Sequence, residues 1–127
     1  MNKLETKRKR IEIMKKYHTP GGQNYVKRAK NAVYVSAANL IEHEVGKLVV
    51  GWLLKKAKRE FITEAVRNKG EARKVDLVDL DGHEVEIVLT NGDLERYQRE
   101  GVTAVMVKGL VSIDLDGFKR QLTDLGL

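Results

Sequence analysis

The sequence predicts a mixed α/β fold: a helix, three strands, a second helix and a further strand, preceded by a basic helical extension. Three observations predict it. Apolar residues recur at helical spacing after Asn39. Residues 74–90, KVDLVDLDGHEVEIVLT, alternate in polarity about an Asp81-Gly82 turn. A polar helical stretch then leads into the apolar run Thr103–Val107, which reads as a buried strand.

Taken in order, Leu4–Tyr17 forms a short basic helix with Leu4, Ile11 and Met14 as a narrow apolar stripe. Thr19-Pro20-Gly21-Gly22 ends it, and Asn24–Ser36 mixes Tyr25, Tyr34 and valines with cationic residues. The Asn39/Glu42 spacing matches a capping box. The helix it opens runs to about Lys58, with Ile41, Val45, Leu48, Val49 and Trp52 as its core-facing stripe and Lys55, Lys56 and Lys58 at the negative end of its dipole. Glu44 borders that stripe and leans over the sheet, whereas His43 points away from the stripe. Phe61–Val66 reads as a strand, Lys69-Gly70 as its exit turn and Lys74–Thr90 as a hairpin. Asn91-Gly92-Asp93 opens a helix through Glu100 that Gly101 closes. Leu110–Leu115 adds a short strand, and Asp116 caps a last helix bearing Phe118, Leu122 and Leu125.

At 127 residues with 42% apolar and 33% charged content, the chain suits one soluble domain. It divides into a basic arm, residues 1–36, and a core, residues 37–127. No apolar run approaches the ~20 residues of a membrane span, and the start of the chain lacks the apolar segment of a secretory signal. Without cysteine there are no disulfides or thiolate metal sites, which is compatible with a reducing cytoplasm. His18, His43 and His83 are scattered, so no histidine metal site is expected.

Charge is unevenly placed. Residues 1–36 hold ten Lys/Arg against Glu5 and Glu12, a net +8, while the remainder holds fourteen basic and sixteen acidic residues, a net −2. Lys7, Arg8, Lys9, Arg10, Lys15, Lys16, Lys27, Arg28 and Lys30 are therefore candidates for contacting a polyanion such as nucleic acid, with a solvated helix face as the alternative.

The hairpin register follows from which face each option makes apolar. A two-residue Asp81-Gly82 loop mixes carboxylates and apolar groups on both faces. A three-residue Leu80-Asp81-Gly82 loop, with glycine in the left-handed position, pairs Val78 with Glu84, Asp76 with Glu86 and Lys74 with Val88. One face is then Val75, Leu77, Val85, Ile87 and Leu89, and the other carries Lys74, Asp76, Val78, Glu84, Glu86 and Val88. Asp76 and Glu86 sit opposite one another with Cβ atoms about 5 Å apart. Two carboxylates so placed repel unless a proton or cation lies between them, and oxygen ligands of this kind suit Mg²⁺ or Mn²⁺. Glu64 has the parity to join them.

From Asn39 to Gly109, this order of elements and its acidic positions resemble the PD-(D/E)xK nuclease superfamily, whose restriction-endonuclease-like fold includes Holliday-junction resolvases and small virus-encoded nucleases. Glu44 resembles the family's helix-borne acid, Asp76 its second-strand aspartate, Glu86 its third-strand acid, and Glu64 an extra acid of some members. The resemblance implies a Mg²⁺- or Mn²⁺-dependent DNA endonuclease, with a homodimer as the candidate assembly and the metal on Asp76, Glu86, Glu64 and Glu44. The family's lysine should stand at position 88, where this chain has valine. Lys74, facing Val88 across the hairpin, is the expected substitute, and Lys108 is a second candidate. A catalytically inactive nucleic-acid-binding protein on the same fold is the alternative.

Overall fold

The computed structural model describes residues 2–22, 30–70, 73–110 and 112–126. The sequence candidates Tyr25, Lys27 and Arg28 lie outside the described residues. Among those described, four helices and five strands follow the order α1 (Lys3–Met14), β1 (Tyr17–His18), α2 (Ile41–Lys56), β2 (Phe61–Arg67), β3 (Lys74–Asp79), β4 (Glu84–Val88), α3 (Asn91–Arg99), β5 (Thr103–Met106) and α4 (Leu115–Asp124). The strands form one mixed sheet in the order β1-β2-β3-β4-β5. All neighbours are antiparallel except β4 and β5, which run parallel across the α3 crossover.

Several short-range expectations give way. Leu40 caps α2 without a side-chain hydrogen bond, and the Asn39 amide reaches Glu44 at 3.5 Å instead of forming a capping box. The described residues between Leu110 and Leu115 form no strand, and α4 begins two residues early because Asp114, not Asp116, accepts from the backbone of Gly117. Tyr17, expected to end the first helix, instead begins a two-residue strand with His18 that pairs with β2 at the sheet edge.

The hairpin takes the three-residue loop: Leu77 pairs with Val85, Val78 pairs with Glu84, and the Asp79 N–H donates to His83 O at 2.8 Å. Gly82 occupies the left-handed region at φ 109°, which a side chain rarely adopts. Both faces of the sheet are covered, however, and alternation is not uniform. Phe61, Leu77, Val85, Ile87 and Val107 form the core beneath α2. Ile62, Ala65, Val75, Val78 and Leu80 pack with Ile13, Met14 and Tyr17 under α1. Val75 and Leu77, two residues apart, thus lie on opposite faces, as do Thr63 and Ala65, the former engaging the 30–36 segment through Tyr34 N and Ala32 O.

The irregularity is centred on Glu64, whose φ of +53° is unusual for a residue with a side chain. Strand pairing continues on both sides, Thr63 with Leu77 and Ala65 with Val75. Between those pairs, Glu64 and Asp76 are turned together towards α2. The expectation that Asp76 shares a face with Val78, opposite Leu77, is corrected by this kink.

Helix α2 supplies a second correction. Its sheet-facing side is not the large apolar stripe but Glu44, Gly46, Lys47 and Gly51, with Val50 and Leu54 packed on the core. A Cβ at Gly46 would lie 2.6 Å from Val107 and 2.8 Å from Ile87, and one at Gly51 would lie 2.7 Å from Phe61. The glycines let the backbone approach the sheet closely, and that approach fixes the helix rotation. Leu48, Val49, Trp52 and Leu53 consequently face outward, 45–58% exposed.

Candidate carboxylate site

The kink in β2 and β3 brings Glu64 and Asp76 beneath the first turns of α2. Asp76 Oδ2 accepts from the Ile87 N–H at 2.8 Å, so a side chain occupies a position that a ladder hydrogen bond would otherwise fill. The strands separate beyond the Leu77–Val85 pair, and the acidic groups gather in that wedge.

His43 crosses above it. Its Nδ1 lies 2.7 Å from Glu44 Oε2 and its Nε2 3.1 Å from Asp76 Oδ2, bridging the helix carboxylate and the strand carboxylate. The hydrogen bond to Asp76, supported by that to Glu44, raises the imidazole pKa against the opposing effect of burial. Lys47, one turn later, is fully buried: Nζ contacts Glu44 Oε1 at 3.0 Å, Glu64 Oε1 at 3.3 Å and the Tyr34 carbonyl at 2.8 Å. Burial disfavours the Glu44 anion, but the Ser36 N–H, His43 and Lys47 together hold its pKa below the ordinary value.

Glu86 differs. It is 5% exposed, and its Oε1 is buried without a hydrogen-bond partner. Burial and the nearby Asp76 carboxylate push its pKa up to about 7, with Arg73 opposing the shift. A buried acceptor left unmatched beside a second carboxylate is costly, and a proton or cation there relieves both effects.

Of the sequence candidates, Glu44, Glu64, Asp76 and Glu86 are all drawn into this neighbourhood, but in two groups. Glu44 and Glu64 converge on Lys47, and the Asp76 carboxylate lies close enough to Glu86 to disfavour its ionisation. The β3–β4 pairing covers Val78–Glu84 and Leu77–Val85 and does not extend to Lys74 and Val88; Lys74 instead pairs with Val66 on the other side of β3. The Lys74 side chain is 41% exposed, with Nζ 3.8 Å from Glu64 Oε1. The lysine that penetrates the acidic cluster is Lys47, which gave no signal in the sequence because it stands in a helix full of lysines. His43 was likewise read as directed away. Lys47 is buried on the face of Gly46 and Gly51, and His43 reaches Asp76 on the sheet beside it, so the glycines are the clue in the sequence to which side meets the sheet.

The basic candidates are distributed unequally. Arg10 and Lys30 both pair with Glu60, at 3.2 and 3.0 Å. Lys7, Arg8 and Lys9 are exposed along α1. Lys15 and Lys16, also exposed, border a groove of about 860 Å³ with Arg67, Lys69 and His83. At its floor the Tyr17 hydroxyl donates to Glu84 Oε2 at 2.9 Å, and Arg67 holds both oxygens of Glu84. This groove lies on the α1 side of the sheet, opposite His43 and Lys47.

No helix among the described residues is long and apolar enough to cross a membrane. No family model matches the chain, and no curated protein or solved structure matches it.

Proposed function

We propose that the protein is a metal-dependent nuclease of the restriction-endonuclease-like kind. The observation that carries this reading is the pair Asp76 and Glu86, buried side by side where β3 and β4 separate, with Glu86 Oε1 left unpartnered. The element order α2-β2-β3-β4-α3-β5 and the mixed sheet agree with the fold expected from the resemblance.

The donor set fits a hard divalent cation such as Mg²⁺ or Mn²⁺, being carboxylate oxygen with an unmatched acceptor. Among the described residues no group of three His, Cys, Asp or Glu forms a ready cage. Asp76 and Glu86 are thus the residues that would hold the ion, leaving further positions to water and phosphate. Such an ion supplies a more acidic bound water and polarises a phosphoryl oxygen. The chain's own groups do the positioning. His43 and the Ile87 N–H fix Asp76, while Lys47 fixes Glu44 and Glu64 and brings positive charge into the cluster without a lysine at position 88. DNA is the proposed substrate, in keeping with the basic α1.

Incubation of the purified chain with single-stranded, duplex and branched DNA in Mg²⁺ or Mn²⁺ tests the reading. Cleavage is expected, and Asp76→Ala and Glu86→Ala should each lower it by about 10²-fold or more while circular dichroism stays unchanged. Lys74→Ala should retain most activity if Lys47 provides the positive charge. Salt-sensitive DNA binding without cleavage under any of these conditions would replace this reading with the inactive binding protein.

A further inference from the structure

We propose that the outward face of α2 is an antiparallel two-fold interface with a second copy of this chain. The inference is independent of the chemistry at Asp76 and Glu86, since it rests on the opposite side of the helix. Leu48, Val49, Trp52 and Leu53 form a contiguous stripe, 45–58% exposed, on a helix whose glycine face is locked against the sheet. Rotating the helix to bury them would drive its backbone away from Phe61, Ile87 and Val107. The stripe is therefore held outward by the fold, and an apolar patch centred on tryptophan has the composition of an interface core.

The spacing selects the occupant. A two-fold axis between Val50 and Gly51 sets Leu48 against the other copy's Leu53, and Val49 against its Trp52, so the stripe complements itself. The charges agree. Glu42 stands in the first turn of α2, and Lys55 and Lys56 stand in the last, so antiparallel pairing brings each acidic end alongside a basic one. Parallel pairing would bring Lys55 and Lys56 against their own copies. Lys56 already extends over Trp52, with Nζ 5.3 Å from the ring centroid, and its stem would border the contact.

Trp52 is the chain's one tryptophan and there is no cysteine, which makes the interface directly readable. Sedimentation velocity of the full chain from about 1 to about 500 µM should show a monomer–dimer equilibrium. Trp52 emission should move to the blue over the same range. Leu53→Glu, a change at an exposed position, should keep the circular dichroism spectrum but leave the protein monomeric with red-shifted emission. Under mild oxidation Leu48→Cys/Leu53→Cys should cross-link to a covalent dimer far more efficiently than Leu48→Cys alone. A monomer at every concentration overturns the proposal, as does a dimer that survives Leu53→Glu. Equal cross-linking by Leu48→Cys alone overturns the antiparallel arrangement. Blue emission that is independent of concentration and lost on deleting residues 115–127 would instead assign α4 as the cover, and overturns it too.

Discussion

Glu86 and Glu84, two residues apart on one strand, have opposite electrostatic situations and so should affect stability with opposite sign. The folded state keeps the Glu86 proton to higher pH than the unfolded chain does. Its destabilising contribution is absent below about pH 4.5, grows as pH rises and is complete above about pH 7. The shift corresponds to at most about 3 kcal/mol at pH 8. In chelator, Glu86→Gln should therefore be more stable than wild type at pH 8, with the advantage vanishing near pH 4, as measured by urea unfolding across that range. Mg²⁺ or Mn²⁺ at pH 8 should raise the wild-type Tm and leave Glu86→Gln unmoved. Glu84 is held below its ordinary pKa chiefly by the Arg67 hydrogen bond and also by the Tyr17 hydroxyl. Its contribution is present above about pH 4.5 and is lost as pH falls through the depressed value. Tyr17→Phe should cost about 1 kcal/mol at pH 7 and less in acid, which the same unfolding series would show.

At the scale of the element, α2 is governed by close approach. Gly46→Ala improves helix propensity by about 1 kcal/mol, but its Cβ meets Val107 and Ile87 below 3 Å, so a net loss of about 1–2 kcal/mol is expected. Lys58, just past the helix end at φ 60°, is the contrasting site: Lys58→Gly should stabilise by about 0.5–1 kcal/mol. Chemical denaturation of the two variants checks both signs. The same elements show what sequence reading can reach. The hairpin register was legible because the Leu80-Asp81-Gly82 turn and the pattern of residues 74–90 agree. The faces of Asp76 and Glu64 were not, because strand alternation assumes regular backbone and Glu64 departs from it. The α2 stripe was read correctly as a stripe and wrongly as the core side. Hydrophobic periodicity finds an apolar face, but it does not tell a face for the sheet from a face for another partner. His43 and Lys47 were missed for that reason, whereas Glu44, Asp76 and Glu86 were found from their own charge.

For the whole molecule, the sheet separates two chemistries: Glu44, Glu64 and His43 on the α2 side, and the cationic groove on the α1 side. That separation gives the basic residues a testable division of labour. Lys15, Lys16 and Lys69 are exposed at the groove, so phosphate contacts there should release counterions and make binding fall with salt. Arg10 and Lys30 already pair with Glu60, so their contribution should be small. Replacing Lys15, Lys16 and Lys69 together by alanine should reduce the slope of log K against log salt for duplex DNA by about 2–3. Arg10→Ala/Lys30→Ala should change it by less than about 1. Because none of the five residues contacts Asp76 or Glu86, any cleavage rate at saturating DNA should persist in both variants, with the change confined to affinity. Fluorescence anisotropy between about 50 and 200 mM salt measures the slopes. Equal slopes for wild type and the triple variant would remove the groove from the binding surface and leave Lys7, Arg8 and Lys9 along α1 as the cations to test.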